Sequence, residues 1–110
     1  MNDRLPAAVI ASALIRRVND AGGFATVRAR GDAQGGTLLL IATERGGSAR
    51  LFERGVGPSG VPRPIDSTPV DASPAGVEEY WRKRRARDPD LWVIELDSPD
   101  AERFAAETLC

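Results

Sequence analysis

The sequence predicts a single α+β domain over residues 1–110, with elements in the order αβββαβ and a short C-terminal helix after them. The expected sheet is four-stranded, mainly antiparallel and packed by two helices. Three observations lead there: two segments with helical punctuation, four short runs with strand character, and glycine- or proline-rich breaks between them.

The first helix runs from about Pro6 to Asp20. Pro6 suits a first turn, where its missing N–H is not needed. Val9, Ile10, Ala13, Leu14 and Val18 recur at three- and four-residue spacing and define its expected buried face. Gly22-Gly23 ends it, because glycine readily takes the left-handed conformation of a helix C-terminus. Arg16 and Arg17 sit near the negative end of its dipole. In Phe24–Arg30, Ala25, Val27 and Ala29 alternate with Thr26, Arg28 and Arg30, the period of a half-buried strand. After the turn-forming Gly31–Gly36, the run Leu38-Leu39-Leu40-Ile41 within Thr37–Thr43 reads as a central strand covered on both faces. Gly46-Gly47 permits a tight hairpin into a third strand, Ala49–Arg54, completing an expected meander. Its helices are expected on one side of the sheet.

From Gly55 to Ser73, four prolines lie among glycines, serines and aspartates. This stretch is expected to be a mobile loop without regular structure. Ser73 then caps a second helix with Pro74 in its first turn, and Asp88-Pro89 stops it after Arg87. Only Val77, Tyr80 and Trp81 give this helix an apolar stripe, and Glu78–Arg82 and Glu79–Lys83 are favourable four-residue pairs. The fourth strand, Leu91–Leu96, places Trp92, Ile94 and Leu96 on one face and Val93, Glu95 and Asp97 on the other. Ser98-Pro99 can cap a short final helix carrying Phe104.

Sixteen alanines pad the apolar content, yet Leu, Ile, Val and Phe still form roughly a quarter of the chain, enough for a modest core. The net charge of −1 provides no long-range field for nucleic acid or anionic lipid. With no histidine and a single cysteine at position 110, zinc sites, Cys-His nucleophiles and Ser-His-Asp triads of the usual kind cannot be assembled. The lone cysteine suits a reducing compartment. The stretch Leu5–Ile15 is too short to span a membrane, and its helical spacing continues past the signal-like Ala11-Ser12-Ala13. A cytoplasmic location without membrane partners is expected, as are no cofactor, no metal and no catalytic residue.

Gly55-Val56-Gly57-Pro58-Ser59-Gly60 matches the dinucleotide-binding pattern in letters, but Val61-Pro62-Arg63-Pro64 cannot supply the helix whose N-terminus would hold a pyrophosphate. The basic run 82–87 has the composition to grip phosphate, with Tyr80 and Trp81 nearby for stacking. Set against this, a helix spreads such a run around its circumference, and its C-terminal end favours cations in any case. Glu95 and Asp97 share a strand face and could act as an acid/base pair or hold a hard cation; solvated groups or arginine partners are the simpler reading. Trp81, Arg82, Arg84, Arg85, Arg87, Asp88, Asp90 and Trp92 form the candidate binding surface.

The segment Asp88-Pro89-Asp90-Leu91-Trp92-Val93-Ile94-Glu95, following a basic helix with Tyr80, resembles a bacterial family known as domain of unknown function family 1491. So do Arg4-Leu5-Pro6, Leu14-Ile15-Arg16-Arg17, Gly22-Gly23-Phe24 and Arg30-Gly31-Asp32. The likeness extends from Arg4 to Phe104 and implies a small stand-alone cytosolic protein without established activity or catalytic residues. The leading expectation is a non-enzymatic interaction module with a protein partner, in which self-association is also plausible. Its contact surface is expected at the Asp88–Asp90 turn, the end of the second helix and the Gly55–Ser73 loop. A nucleic-acid or phosphate binder using residues 82–87 is the alternative, and an enzyme using only Asp, Glu and Arg the second alternative.

Overall fold

A computed structural model describes residues 5–110; Arg4, named above, lies outside the described residues. The elements are α1 (Ala7–Asp20), β1 (Phe24–Ala29), β2 (Leu38–Thr43), β3 (Arg50–Val56), β4 (Pro62–Asp66), α2 (Pro74–Arg87), β5 (Trp92–Asp97) and α3 (Ala101–Leu109). They form one α+β domain, with a five-stranded mixed sheet in the order β1-β5-β2-β3-β4.

The expected meander and four-stranded, mainly antiparallel sheet are therefore corrected. β5 lies between β1 and β2, antiparallel to the first and parallel to the second. Burial accounts for the order. Leu38–Ala42 and Trp92–Ile94 are apolar on both faces and are wholly buried, so both strands occupy interior positions. β1 has little apolar surface and stays at an edge, with Phe24 73% exposed.

Among the described residues three helices cover the sheet, on both faces and not on one. On one face α1 and α3 bury Leu38, Leu40, Ala42, Trp92, Ile94 and Leu96. On the other, α2 presses Val77 and Trp81 onto Leu39, Ile41, Leu51 and Val93. The buried stripe of α1 is Ala7, Ala11, Leu14 and Val18, whereas Val9 and Ala13 of the expected face are exposed. Leu14 and Val18 were legible, but the alanines that let the first half of the helix approach the sheet closely were not. α2 begins and ends where Ser73 and Asp88 indicate, with the Ser73 hydroxyl accepting from Gly76 N–H at 3.2 Å.

The predicted alternation of β1 breaks at a bulge between Val27 and Ala29. As a result Ala25 packs with the α1/α3 core while Ala29 packs with the α2 core, on opposite faces.

The Gly55–Ser73 stretch contains β4, which corrects its reading as a segment without regular structure. Gly57 N–H bonds to Val61 O and Ser67 N–H to Leu51 O. With the β3–β4 register, this directs the backbone groups of residues 61, 63, 65 and 67 toward β3. Pro62 and Pro64 consequently turn their nitrogens to the outer edge, where no ladder bond is lost. A turn with Pro58 at its second position and Gly60 at φ +81° closes the hairpin, with Gly60 N–H donating to Gly57 O at 2.9 Å. The dinucleotide-like glycine pattern is thus a hairpin followed by a strand.

Candidate functional site: the α2 side of the sheet

The basic run of α2 is divided among internal partners. Arg82 pairs with Glu78 at 3.1 Å and lies over the Trp81 ring, 4.9 Å from its centroid. Lys83 pairs with Glu79 at 3.1 Å. Arg84 grips Glu53 of β3 with both terminal nitrogens, at 2.7 and 2.9 Å, and also donates to the Tyr80 hydroxyl. This fork, helped by a bond from Ser67, holds the Glu53 carboxyl below its ordinary pKa against the opposing effect of burial. The same contact raises the pKa of Arg84. Arg85 reaches the other way and donates to the Arg30 carbonyl at 2.6 Å. Arg84 and Arg85 therefore moor α2 to β3 on one side and to the end of β1 on the other. Arg87 is exposed.

Asp88, Asp90 and Trp92 belong to a different construction. The Asp88 carboxylate accepts from Asp90 N–H, and the Asp90 carbonyl accepts from Asp32 N–H at 3.0 Å. Trp92 donates its indole N–H to the Asp32 carbonyl at 2.7 Å, beneath the guanidinium of Arg30. The Asp32 carboxylate in turn accepts from Gln34 and Gly35 N–H. The next stretch of this loop caps a helix: the carbonyls of Gln34 and Ala33 receive the first N–H groups of α1, those of Ala7 and Ala8. A Cβ on Gly31 or Gly36 would collide with the Asp90 carbonyl, so only glycine permits this approach. Arg30-Gly31-Asp32 and Asp88–Trp92, distant in sequence, form one clip between two core strands and α1. Trp92 belongs to the α1/α3 core and Trp81 to the α2 core, so the sheet separates the two tryptophans.

Beyond a hollow lined by Asp71, Glu79, Tyr80 and Lys83, two surface features stand out on the α2 side among the described residues. The first is a cleft of about 200 Å³ beside the start of α2, lined by Trp81, Val77, Pro74, Gly46, Gly47 and the Arg28–Glu95 ion pair, which closes at 2.9 Å. Asp97, whose carboxylate accepts from Arg45 N–H at 2.7 Å, and Glu95 are held by different partners. Among the described residues no group of three or more His, Cys, Asp or Glu is placed to hold a metal ion.

The second feature lies largely within the Gly55–Ser73 stretch expected in the contact surface and is a shelf on the β3–β4 hairpin. Glu53, Gly55 and Gly57 face the same way as Ile65, Arg63 and Val61. Ile65 lies directly over Gly55, where a Cβ would collide with it. Val61 and Ile65 remain 59% and 41% exposed. The Arg84–Glu53 fork borders this shelf, joining it to the C-terminal half of α2. The signal available in the sequence was alternation of Val61, Arg63 and Ile65 across the two prolines.

The clip coincides with the segments that carry the family resemblance, and the family model described as "Protein of unknown function (DUF1491)" matches residues 5–106. The chain belongs to this family. A crystal structure of a DUF1491 family protein from Caulobacter crescentus CB15 is 32% identical, with a TM-score of 0.82 over 92% of this chain and 94% of that one. An NMR structure of a DUF1491 family protein from the same organism is 33% identical, with a TM-score of 0.77 over 91% of each chain. The solution structure of protein Atu0922 from A. tumefaciens is 26% identical, with a TM-score of 0.74 over 92% of each chain. A comparison with curated proteins finds no match. DUF1491 is a family of unknown function, and its similar structures assign no specific activity to it. Among the described residues, no helix is long and apolar enough to cross a membrane.

Proposed function

We propose that this chain is a small cytosolic module that acts by contact with a protein partner, through the shelf of the β3–β4 hairpin and the adjoining end of α2. The observation that carries this reading is the exposed pair Val61 and Ile65, set on a backbone flattened by Gly55 and Gly57. Exposed apolar side chains grouped on an otherwise polar surface are a property of interaction sites. Arg63, set between Val61 and Ile65 on the same face, would favour a partner with acidic groups around an apolar centre.

The Arg84 fork is taken up by Glu53, and Arg82 and Arg85 each give one bond, to Glu78 and the Arg30 carbonyl, which weighs against the phosphate-gripping alternative. Glu95 and Asp97, the carboxylates that share a strand face, are each engaged by a separate partner, the Arg28 guanidinium and the Arg45 N–H. This weighs against the acid/base enzyme.

The test is affinity capture from the native cell with wild-type protein and a Val61→Asp/Ile65→Asp variant, with circular dichroism as the check on folding. The reading requires a partner recovered by wild type and lost by the folded variant. Equal recovery by both, or recovery of nothing by either, contradicts it.

A further inference from the structure

The two edges of the sheet are built in opposite ways. At β4, Pro62 and Pro64 face outward and remove the donors that another strand would need. At β1 the outward positions follow from the bonds of β5. Trp92 N–H donates to Thr37 O and Ser98 N–H to Thr43 O, so residues 92, 94, 96 and 98 direct their backbone groups toward β2. Val93, Glu95 and Asp97 then direct theirs toward β1, where they meet Ala29, Thr26 and Phe24. Ala25 and Val27 are left with N–H and C=O groups turned away from the sheet.

We propose that β1 pairs with β1 of a second copy of this chain, antiparallel and centred on Thr26. The sequence is self-complementary in that register. Ala25 and Val27 exchange backbone bonds with Val27 and Ala25 of the second copy, since both present outward groups. Their side chains lie on the α1/α3 face, so two apolar pairs form there. On the α2 face Thr26 meets its own counterpart, a favourable cross-strand pair. Phe24, 73% exposed in the single chain, falls at the end of the paired segment, where the second copy covers part of its ring. No like charges face each other, because Arg28, the one charged residue of β1, lies past the paired segment and is held by Glu95. The bulge after Val27 ends the pairing and confines it to this short segment. A second copy is favoured over an unrelated peptide by this match of every position with its own symmetry mate.

The test uses the full chain. Light scattering at the highest attainable concentration is expected to give twice the monomer mass of 11.8 kDa. Ala25→Pro should return the monomer mass with an unchanged circular dichroism spectrum, because position 25 makes no ladder bond to β5 and tolerates proline as Pro62 and Pro64 do. Thr26→Cys in a Cys110→Ser background should form a disulfide-linked dimer on mild oxidation, while Val70→Cys in that background should not. A wild-type monomer at every concentration overturns the proposal. So does a dimer indifferent to Ala25→Pro, or one in which Cys at position 26 fails to cross-link.

Discussion

The two faces of the sheet carry very different coverings. α1 and α3 close one face with alanines, Leu14, Val18, Phe104 and Leu109 over Trp92, Ile94 and Leu96. The other face is covered by α2, which contributes only Val77 and Trp81 as fully buried side chains and is otherwise moored by arginines. The first face holds the fold together by dry packing. The second is held by a few anchors beside an apolar shelf, and hollows of about 200 Å³ lie against both faces, one by Trp81 and one by Ile10, Leu38 and Leu109. In a domain this small, one well-packed face stabilises the sheet and the other is free to be shaped by contact.

The two faces should differ most at their tryptophans. Trp92 is 2% exposed and bonded to Asp32, so Trp92→Ala should destabilise by about 3–5 kcal/mol in denaturant titrations. Trp81→Ala empties space that opens into the α2 cleft, where water can enter, and should cost about half as much. Equal losses would remove the distinction between a dry face and an anchored one. Next in size is the mooring of α2: Arg84→Met, which strands Glu53, should cost about 1–3 kcal/mol by the same measurement.

A smaller effect is read by lowering the pH. On the α3 side, bonds from Thr68 and an ion pair with Arg50 hold Asp66 at a pKa of about 2, below its ordinary 3.8. Because the folded value is depressed, this stabilisation is present above about pH 4 and disappears as pH falls toward 2. Thermal melts of Asp66→Asn should therefore show a weaker loss of stability across that window than wild type. Smallest should be the shelf. Val61→Asp, at a side chain 59% exposed, should change stability by no more than about 0.5 kcal/mol while removing partner capture.

Local chemistry made much of this legible. Ser73-Pro74 and Asp88-Pro89 marked the limits of α2, and Leu38–Ile41 announced a strand buried on both faces. The insertion of β5 beside β2 was not legible, because parallel pairing links residues about fifty positions apart and leaves no turn signature. Pro62 and Pro64 read as breakers because proline is compatible with a strand only where its nitrogen faces away from the neighbour, a fact of register and not of composition. The bulge at Arg28 likewise left no period to detect. For the site, the sequence located the charged helix but gave no indication of where each guanidinium would go. Arg84 and Arg85 find acceptors on β3 and after β1, and Trp92 faces away from Trp81. The Asp88–Trp92 segment drew attention as a recognition motif and is a clip between strand and loop.

The most direct test of the contact account is photo-cross-linking in the native cell from two positions, Val61 on the hairpin shelf and Val9 on the exposed side of α1. A discrete adduct to another protein from position 61, absent from position 9, is the predicted result. Adducts from position 9 alone, or the same smear from both, would contradict it.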